Sequence, residues 1–359
     1  NTNKVLFLKE EYADGEGKFI YPNRSKYEGH WENGQRDGLG VHTFRDGSKY
    51  IGNQKEGLRH GKGIEIFPNG EKYSGNWKDG YRYGKGIYIW PTGIKYIGEF
   101  KKDEENGSGT LIWPDGDKYI GEFNKGNFHG KGLIISATGE KYEGGFKNNK
   151  FNGHGTYTSP DGEKYEGGWR DHKYFGRGIV IFPDGEKFEG EFKDDKLHGH
   201  GKLTLPDGEK YEGEWKDGVF AGQGTYTSPD GEKYEGGWKD FEFHGKGTHT
   251  LTDGIKYEGG FKGGNRNSKG TITSLDGYKF EGKFKNDKAN GPGKFTLNNG
   301  DILEGEWKDA EIHGQVTFTY SDGEKYVGEW KEGEPWNGTE YDKDGNITRK
   351  YESGKQIKQ

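Results

Sequence analysis

Every 23 residues along this chain the same marker position recurs, and two positions after it stands a glycine in all 14 copies. With Tyr165 as reference, the marker is Tyr27, Tyr50, Tyr73, Tyr96, Tyr119, Tyr142, Phe188, Tyr211, Tyr234, Tyr257, Phe280, Leu303 and Tyr326 in the other copies. Four positions after the marker stands Trp or Phe, as in Trp31, Phe100, Trp169 and Trp215, with Gln54 the one departure. A fixed period of this length marks a repeat architecture before any other feature is considered, because a unit so short cannot bury an apolar face alone. The regular period therefore outweighs a length of 359 residues, which by itself would allow two or three globular domains, and predicts one array.

Composition agrees with a thin structure. Hydrophobic residues are only 27% of the chain, while aromatic residues reach 15% and glycine numbers 68. Bulk aliphatic volume is scarce, so rings and the glycines that receive them must supply the packing. Lys and Arg total 54 against 60 Asp and Glu, a net charge of -6, which gives no overall pull toward nucleic acid or anionic lipid; membrane association has no support from charge. The apolar runs are too short for a spanning helix, and Asn1-Thr2-Asn3-Lys4 does not read as a leader. Cys and Met are both absent, which excludes disulfides and thiolate metal sites. A missing initiator Met is expected of a processed chain or an excerpt. The lack of both sulfur residues fits a secreted or surface-exposed protein, or a virion-like assembly, spared oxidation chemistry. Drift in a repeat whose template lacked both, in a cytoplasmic scaffold, is the alternative.

One copy gives the local structure. Gly153-His154-Gly155-Thr156-Tyr157-Thr158 alternates as a short strand, and Ser159-Pro160-Asp161-Gly162 has the Pro and Gly placement of a type I turn with a following bulge. Glu163 to Trp169 alternates again, and Arg170 to Phe175 reads as a link to a strand beginning at Gly176. Each unit is thus a β-hairpin, and short connections make consecutive hairpins sheet neighbours. Alternation puts Tyr165, Gly167 and Trp169 on one face, as it does Tyr211, Gly213 and Trp215, with the Gly-x-Gly glycines as sockets for rings. The other face carries Lys before the marker in 13 of 14 copies and commonly Glu after it, a solvated face of weak cross-pairs worth about 0.2–1 kcal/mol each. Residues 1–24 read as an opening half-repeat, 25–333 as the array and 334–359 as a terminal cap. The expected fold is all-β: an elongated single-layer antiparallel sheet of stacked 23-residue hairpins, its 28 strands spanning roughly 130 Å at about 4.8 Å each.

Tyr211-Glu212-Gly213-Glu214-Trp215, with Gly222-Gln223-Gly224 and Asp230-Gly231, resembles the membrane occupation and recognition nexus (MORN) repeat, and Tyr341 to Lys355 looks like its shorter bacterial variant. Departures are Gln54, Leu303, and Ser268 and Val316 in place of Gly. The resemblance implies a twisted single sheet without enzymatic activity, a scaffold or adaptor that often self-associates and holds protein partners along its curve. Lipid binding is uneven across the family.

Chemistry was sought in three places. His60, His129, His198, His244 and His313 share one column, but neighbouring copies stand two strands apart, about 9–10 Å, too far to share a zinc at about 2.0–2.1 Å. Gly-x-Gly opens strands rather than a strand-to-helix turn, so a dinucleotide site fails on context. A one-layer sheet offers catalysis no desolvated pocket. No enzyme activity, cofactor, metal or nucleic acid is expected. The remaining signal is Ile64, Ile66, Ile87, Ile89, Ile112, Ile135, Ile179 and Ile181, aliphatic on the charged face where later copies carry Thr, as at Thr225 and Thr227. Exposed apolar stripes mark interfaces, so residues about 60–185 are expected to bind a protein partner or a second copy; burial against Lys stems is the competing explanation. The expected function is a non-catalytic scaffold or spacer. The alternative is a carbohydrate or surface-ligand binder whose rings stand open between units; a third reading assigns the Thr rows to ice.

Overall fold

The computed structural model describes residues 14–331 and 334–357, so Leu6-Phe7-Leu8 of the expected half-repeat lies outside the described residues. Strands and turns make up all of it, and the chain divides into two units, one ending at Pro183 and one beginning at Asp184. In the first unit, strands from Gly15–Ile20 to Lys173–Ile181 pair antiparallel with their chain neighbours. In the second, the same holds from Lys187–Lys193 to Lys355–Ile357. Repeats contribute a seven-residue marker strand, such as Lys164–Arg170, and a nine-residue return strand, such as Lys173–Ile181, the last return strand, Glu334–Tyr341, having eight.

Two different tight turns join these strands. Ser159 to Gly162 closes with the Gly162 amide donating to the Ser159 carbonyl, and Gly162 has φ +102°, as expected of a type I turn followed by a bulge. The other connection is shorter than its sequence suggests. The strand begins at Lys173 rather than Gly176, leaving only Asp171 and His172 as the turn, with φ of 50° and 69°. Two successive left-handed residues make a type I′ turn, whose twist suits a hairpin. No Asn-Gly signals it here, and tertiary bonding holds it: the His172 amide donates to the Phe151 carbonyl, 21 residues back, at 3.2 Å. The same step links Gly57 to Arg36 and Gly218 to Leu197, so successive turns brace one another along the sheet edge.

The ring of Tyr165, fully buried, lies over two glycines at once. A Cβ on Gly178, opposite on the return strand, would stand 2.5 Å from the Tyr165 hydroxyl; one on Gly167 would stand 2.5 Å from the hydroxyl and from the Gly178 Cα. Trp169 meets the Tyr165 ring edge-on at 5.2 Å and the preceding Tyr142 ring edge-on at the same 5.2 Å, and its indole N–H donates to the Gly155 carbonyl at 3.1 Å. Tyr174 stacks flat on Tyr165 at 3.7 Å. The rings thus form a herringbone in which each unit is sealed by the next.

The two glycines of Gly-x-Gly have different jobs, contrary to the expectation that both receive rings. The second, Gly178, is the socket. The first, Gly176, sits at φ +73° in a bulge where Gly167 pairs with Gly178 but Trp169 pairs with Tyr174. The Tyr165 hydroxyl donates to the carbonyl of Gly168, the lone residue opposite that bulge, at 2.9 Å. Ser268 takes the bulge position without glycine at φ 72°.

Two copies depart. Around Tyr211, the glycine pair Gly213 and Gly224 is preserved, but a Cβ on Gly224 would meet Phe220, not Tyr211. Phe220 is fully buried in the socket, and Tyr211 has moved against Tyr226, 5.0 Å away. Tyr211, Gly213 and Trp215 are therefore not a second instance of the Tyr165 arrangement, although Trp215 keeps its bond to the Gly201 carbonyl at 3.2 Å. Around Leu303 the ring is missing and so is the socket: Gly305 pairs with Val316, itself 2% exposed, where other copies have glycine. The two departures noted separately in sequence compensate each other in space.

Gly178→Ala should cost about 1–3 kcal/mol as an overpacked site, against about 0.5–1.5 kcal/mol for Tyr165→Phe, which loses only its hydrogen bond. Hydrogen exchange of the amides in Lys164–Ile181, which resolves local opening in an array, would rank them. Leu303→Tyr and Val316→Gly should each destabilise alone and restore stability together, a coupling of about 1–3 kcal/mol in a double-mutant cycle.

Candidate functional site

Among the described residues the ring face is largely sealed, and titratable groups gather at a polar interruption of it and on the opposite face. The interruption lies where Gln54 replaces the second aromatic. Around it stand Arg36, His42, Arg59 and Glu65, lining a cavity of about 340 Å³. Arg59 pairs with Glu65 and sits over the Trp77 ring at 4.3 Å, taking the place of an aromatic partner. An Arg36 guanidinium N–H donates to His42 Nδ1 at 2.7 Å. That bond requires a lone pair on Nδ1, so burial and then the Arg36 and Arg59 charges pull the His42 pKa from 6.5 down to about 4. Burial also raises the Glu65 carboxyl above its usual range. The tyrosines with raised values, Tyr27 at about 12 among them, owe the shift first to burial, and the Tyr27 hydroxyl is bonded to the His30 carbonyl at 3.0 Å. These are structural uses of titratable groups. Among the described residues no three His, Asp or Glu side chains converge on a metal position; His60 and His198 lie 3.8 and 3.9 Å from Asp79 and Asp217.

On the opposite face the sheet register sorts the sequence-predicted isoleucines into two rows. Ile66, Ile89, Ile112 and Ile135 alternate with Lys49, Lys72, Lys95, Lys118 and Lys141, each Ile directly opposite a Lys on either side. Here the lysine stems flank the aliphatic side chains. Ile64 and Ile87 belong to the neighbouring row, which runs in register across nine successive strands as Val41, Ile51, Ile64, Ser74, Ile87, Ile97, Thr110, Ile120 and Leu133. Ile179 and Ile181 lie beyond it, Ile179 being separated from Leu133 by Glu143, Thr156 and Glu166.

Val41, Ile51, Ile97 and Ile120 were missed as members. Their signal is in the sequence: Lys-Tyr-Glu-Gly becomes Lys-Tyr-Ile-Gly at Ile51, Ile97 and Ile120. The row is partly exposed, with Ile51, Ile97 and Ile120 between 39% and 44%, much as Ile66 and Ile135 are among the lysines. Grooves of about 980 and 820 Å³ lie along it, sharing Ser74 and Lys85. The second unit has grooves of about 1020 and 810 Å³, lined by Glu, Lys, Thr and Gly instead. There the equivalent row runs Glu189, Lys202, Glu212, Thr225, Glu235, Thr248, Glu258, Thr271, Glu281, Lys294, Glu304, Thr317. Backbone shape is shared by the two units; lining chemistry differs. Among the described residues no helix is long and apolar enough to cross a membrane.

The family profile described as the MORN repeat matches 14 segments: 27–49, then consecutive 23-residue steps to 234–256, then 257–277, 280–302, 304–325 and 326–347. No curated protein matches the chain. Among solved structures, 115 chains are similar. The TCP10 domain of Danio rerio CPAP, solved with a peptide of STIL, is 13% identical over 74% of this chain and 98% of its own, with a TM-score of 0.22. The SAS-4 TCP domain of Drosophila melanogaster, solved with a proline-rich motif of Ana2, is 13% identical over 50% and 85%, with a TM-score of 0.26. Virginiamycin B lyase from Staphylococcus aureus is 14% identical over 82% and 84%, with a TM-score of 0.14.

Because His42 holds its neutral form far below the ordinary value, the unfolded chain binds the proton that the folded chain refuses between pH 6.5 and about 4. The stability His42 contributes is complete above pH 6.5 and lost as pH falls toward 4. Replacing His42 by Phe should flatten that part of the pH profile of thermal unfolding relative to the parent; an unchanged difference between pH 7.5 and pH 5 would contradict it.

Proposed function

The chain belongs to the MORN repeat family, and on that premise we propose that it is a non-catalytic scaffold or spacer that holds proteins, or a second copy of itself, on the face opposite its rings. The observation that carries this reading is the division of labour between the faces. On one, Tyr rings such as Tyr50, Tyr73, Tyr96 and Tyr165 are completely buried over glycine and committed to packing. On the other, partly exposed aliphatic side chains stand in a line within the first unit. An in-register apolar row on the solvent side of a sheet contributes nothing to the hairpin's own core, and contiguous exposed apolar surface is the usual mark of a protein contact.

The sealed rings also favour protein over carbohydrate. Binding sugar on an aromatic hairpin array needs ring faces open to solvent between units, whereas the column rings Trp77, Phe100, Trp169 and Trp215 are at most 6% exposed and the open rings, Tyr81, Tyr83 and Phe241, lie at or next to tight turns. Absence of catalysis is supported by how the displaced titratable groups are used: His42 and Glu65 are tied to Arg36 and Arg59, and the hydroxyl of Tyr165 to a backbone carbonyl.

Affinity capture from the source material with the full chain, beside sedimentation velocity of the purified chain, tests the reading. The expected result is a defined protein set or a dimer that is lost in an Ile87→Thr, Ile97→Thr double variant of unchanged thermal midpoint. A chain that stays monomeric and retains no protein, or that retains glycans instead, would sink it.

A further inference from the structure

In most repeats the lysine before the marker has a carboxylate two residues on, on the same strand and the same face. Lys141 pairs with Glu143 at 3.1 Å, Lys187 with Glu189 at 3.2 Å, Lys233 with Glu235 at 2.7 Å, Lys279 with Glu281 at 2.9 Å, and Lys256 with Glu258. After Lys49, Lys72, Lys95 and Lys118 the same position holds Ile51, Ser74, Ile97 and Ile120. None of these four lysines makes an ion pair with another described residue. Replacing Glu there does two things at once: it supplies the apolar floor, and it frees the cation beside it.

The surroundings reinforce both. Across the nine strands, the apolar row is flanked on one side by Lys49, Lys72, Lys95 and Lys118, and on the other by Lys62, Lys85 and Lys131 with Glu99 and Glu122 among them. Seven lysines thus face two glutamates around an aliphatic floor. Successive lysines of the marker row stand two strands apart, about 9–10 Å, and the floor crosses eight strand intervals, about 38 Å. An extended segment of about 12 residues covers that length. The apolar row is one side chain wide, and on its near side Ile66, Ile89, Ile112 and Ile135 alternate with the lysines. Its far rim and its ends carry carboxylates at Glu28, Glu99, Glu122 and Glu143, which a broad anionic membrane surface would have to meet and a narrow chain segment avoids.

Resting on the scaffold reading, we propose that Val41, Ile51, Ile64, Ile87, Ile97 and Ile120, with Lys49, Lys72, Lys95 and Lys118 beside them, form a docking track for an acidic, aliphatic-rich segment of a partner protein. Aliphatic side chains of the segment lie on the floor, and its carboxylates pair with Lys49, Lys72, Lys95 and Lys118, which have no glutamate of their own two residues on.

The test uses the full chain and three fluorescein-labelled 12-residue peptides: alternating Leu and Glu, alternating Leu and Lys, and alternating Ser and Glu. Vesicles of phosphatidylcholine with one third phosphatidylserine form a fourth arm. Fluorescence anisotropy should show the Leu/Glu peptide bound at least ten-fold more tightly than either other peptide. Lys95→Glu with Lys118→Glu should reduce that binding ten-fold or more and raise affinity for the Leu/Lys peptide; the gain of binding shows that the variant is folded. Ile87→Thr with Ile97→Thr should reduce Leu/Glu binding ten-fold without improving Leu/Lys. Equal binding of Ser/Glu and Leu/Glu peptides overturns the track in favour of bare charge attraction, and vesicle binding governed by the same residues without peptide binding overturns it in favour of a lipid surface. Protein capture that survives both double variants overturns the track and leaves the scaffold reading standing, whereas absence of any captured protein or self-association from the parent chain strikes the scaffold reading itself.

Discussion

A tyrosine ring laid flat across two facing glycines is the contact on which the sheet depends. Sheets ordinarily bury one face against a second layer, because a single layer leaves half of every strand in water. Here Tyr165 needs no second layer: its ring covers the bare backbone of Gly167 and Gly178, its edge meets Trp169, and Tyr174 covers its other side. The hydroxyl matters as well, since the bulge that admits Gly176 leaves the Gly168 carbonyl to be satisfied, and the phenol reaches it. Ring, socket, bulge and hydroxyl form one device rather than four motif positions. Its volume accounting is local, as the Leu303 copy demonstrates by losing a ring and a socket together, and the Tyr211 copy by handing the socket to Phe220.

Much of this was legible in the sequence, and what was not has identifiable reasons. The period, the Tyr–Gly–Trp face and the Pro-Asp-Gly turn all depend on residue types with strong local meaning. The Asp171-His172 turn was hidden because neither residue favours the left-handed region strongly enough to announce two consecutive residues there; the bonds from each turn to the start of the preceding return strand hold the conformation, and those are invisible one copy at a time. The two glycines of Gly-x-Gly look alike in sequence because alternation gives them the same face; only the bulge between Gly167 and Trp169 separates a strained position from a socket. Phe220 displaced Tyr211 without any change in the motif, since either ring fills the space. The aliphatic residues of the return strands are legible, but the register that divides Ile64 and Ile87 from Ile66 and Ile89 is needed to show which alternate with lysines and which belong to the row that continues through Ile51 and Ile97.

The polar interruption at Gln54 shows how far a departure can travel in such an array. Loss of an aromatic at this place removes the edge-on ring that elsewhere sits between successive tyrosines, and the space is taken by Arg36, His42, Arg59 and Glu65. Tyr27 and Tyr50 on either side remain completely buried, and the Tyr50 hydroxyl keeps its bond to the Asn53 carbonyl at 2.6 Å. The disturbance reaches only the adjoining repeats, as nearest-neighbour stability of stacked repeats requires.

That locality is also what allows the two faces to be specified independently. Side chains alternate, so the residue after the marker never touches the ring column: Glu166 in one copy and Ile97 in another leave the neighbouring Tyr165 and Tyr96 equally buried. Folding therefore places almost no constraint on this position, and its content is free to express a contact with something else. A surface row that is Glu in six marker strands of the second unit, yet Ile at three of four neighbouring ones in the first, has no cause in the hairpin itself. Lys stands before the marker in both, Ile302 excepted, so exchanging one residue per repeat turns a face of Lys–Glu pairs into a cationic one with an apolar floor. In a sheet whose core fills only one side, the proposed docking track occupies positions on the other that stability leaves idle.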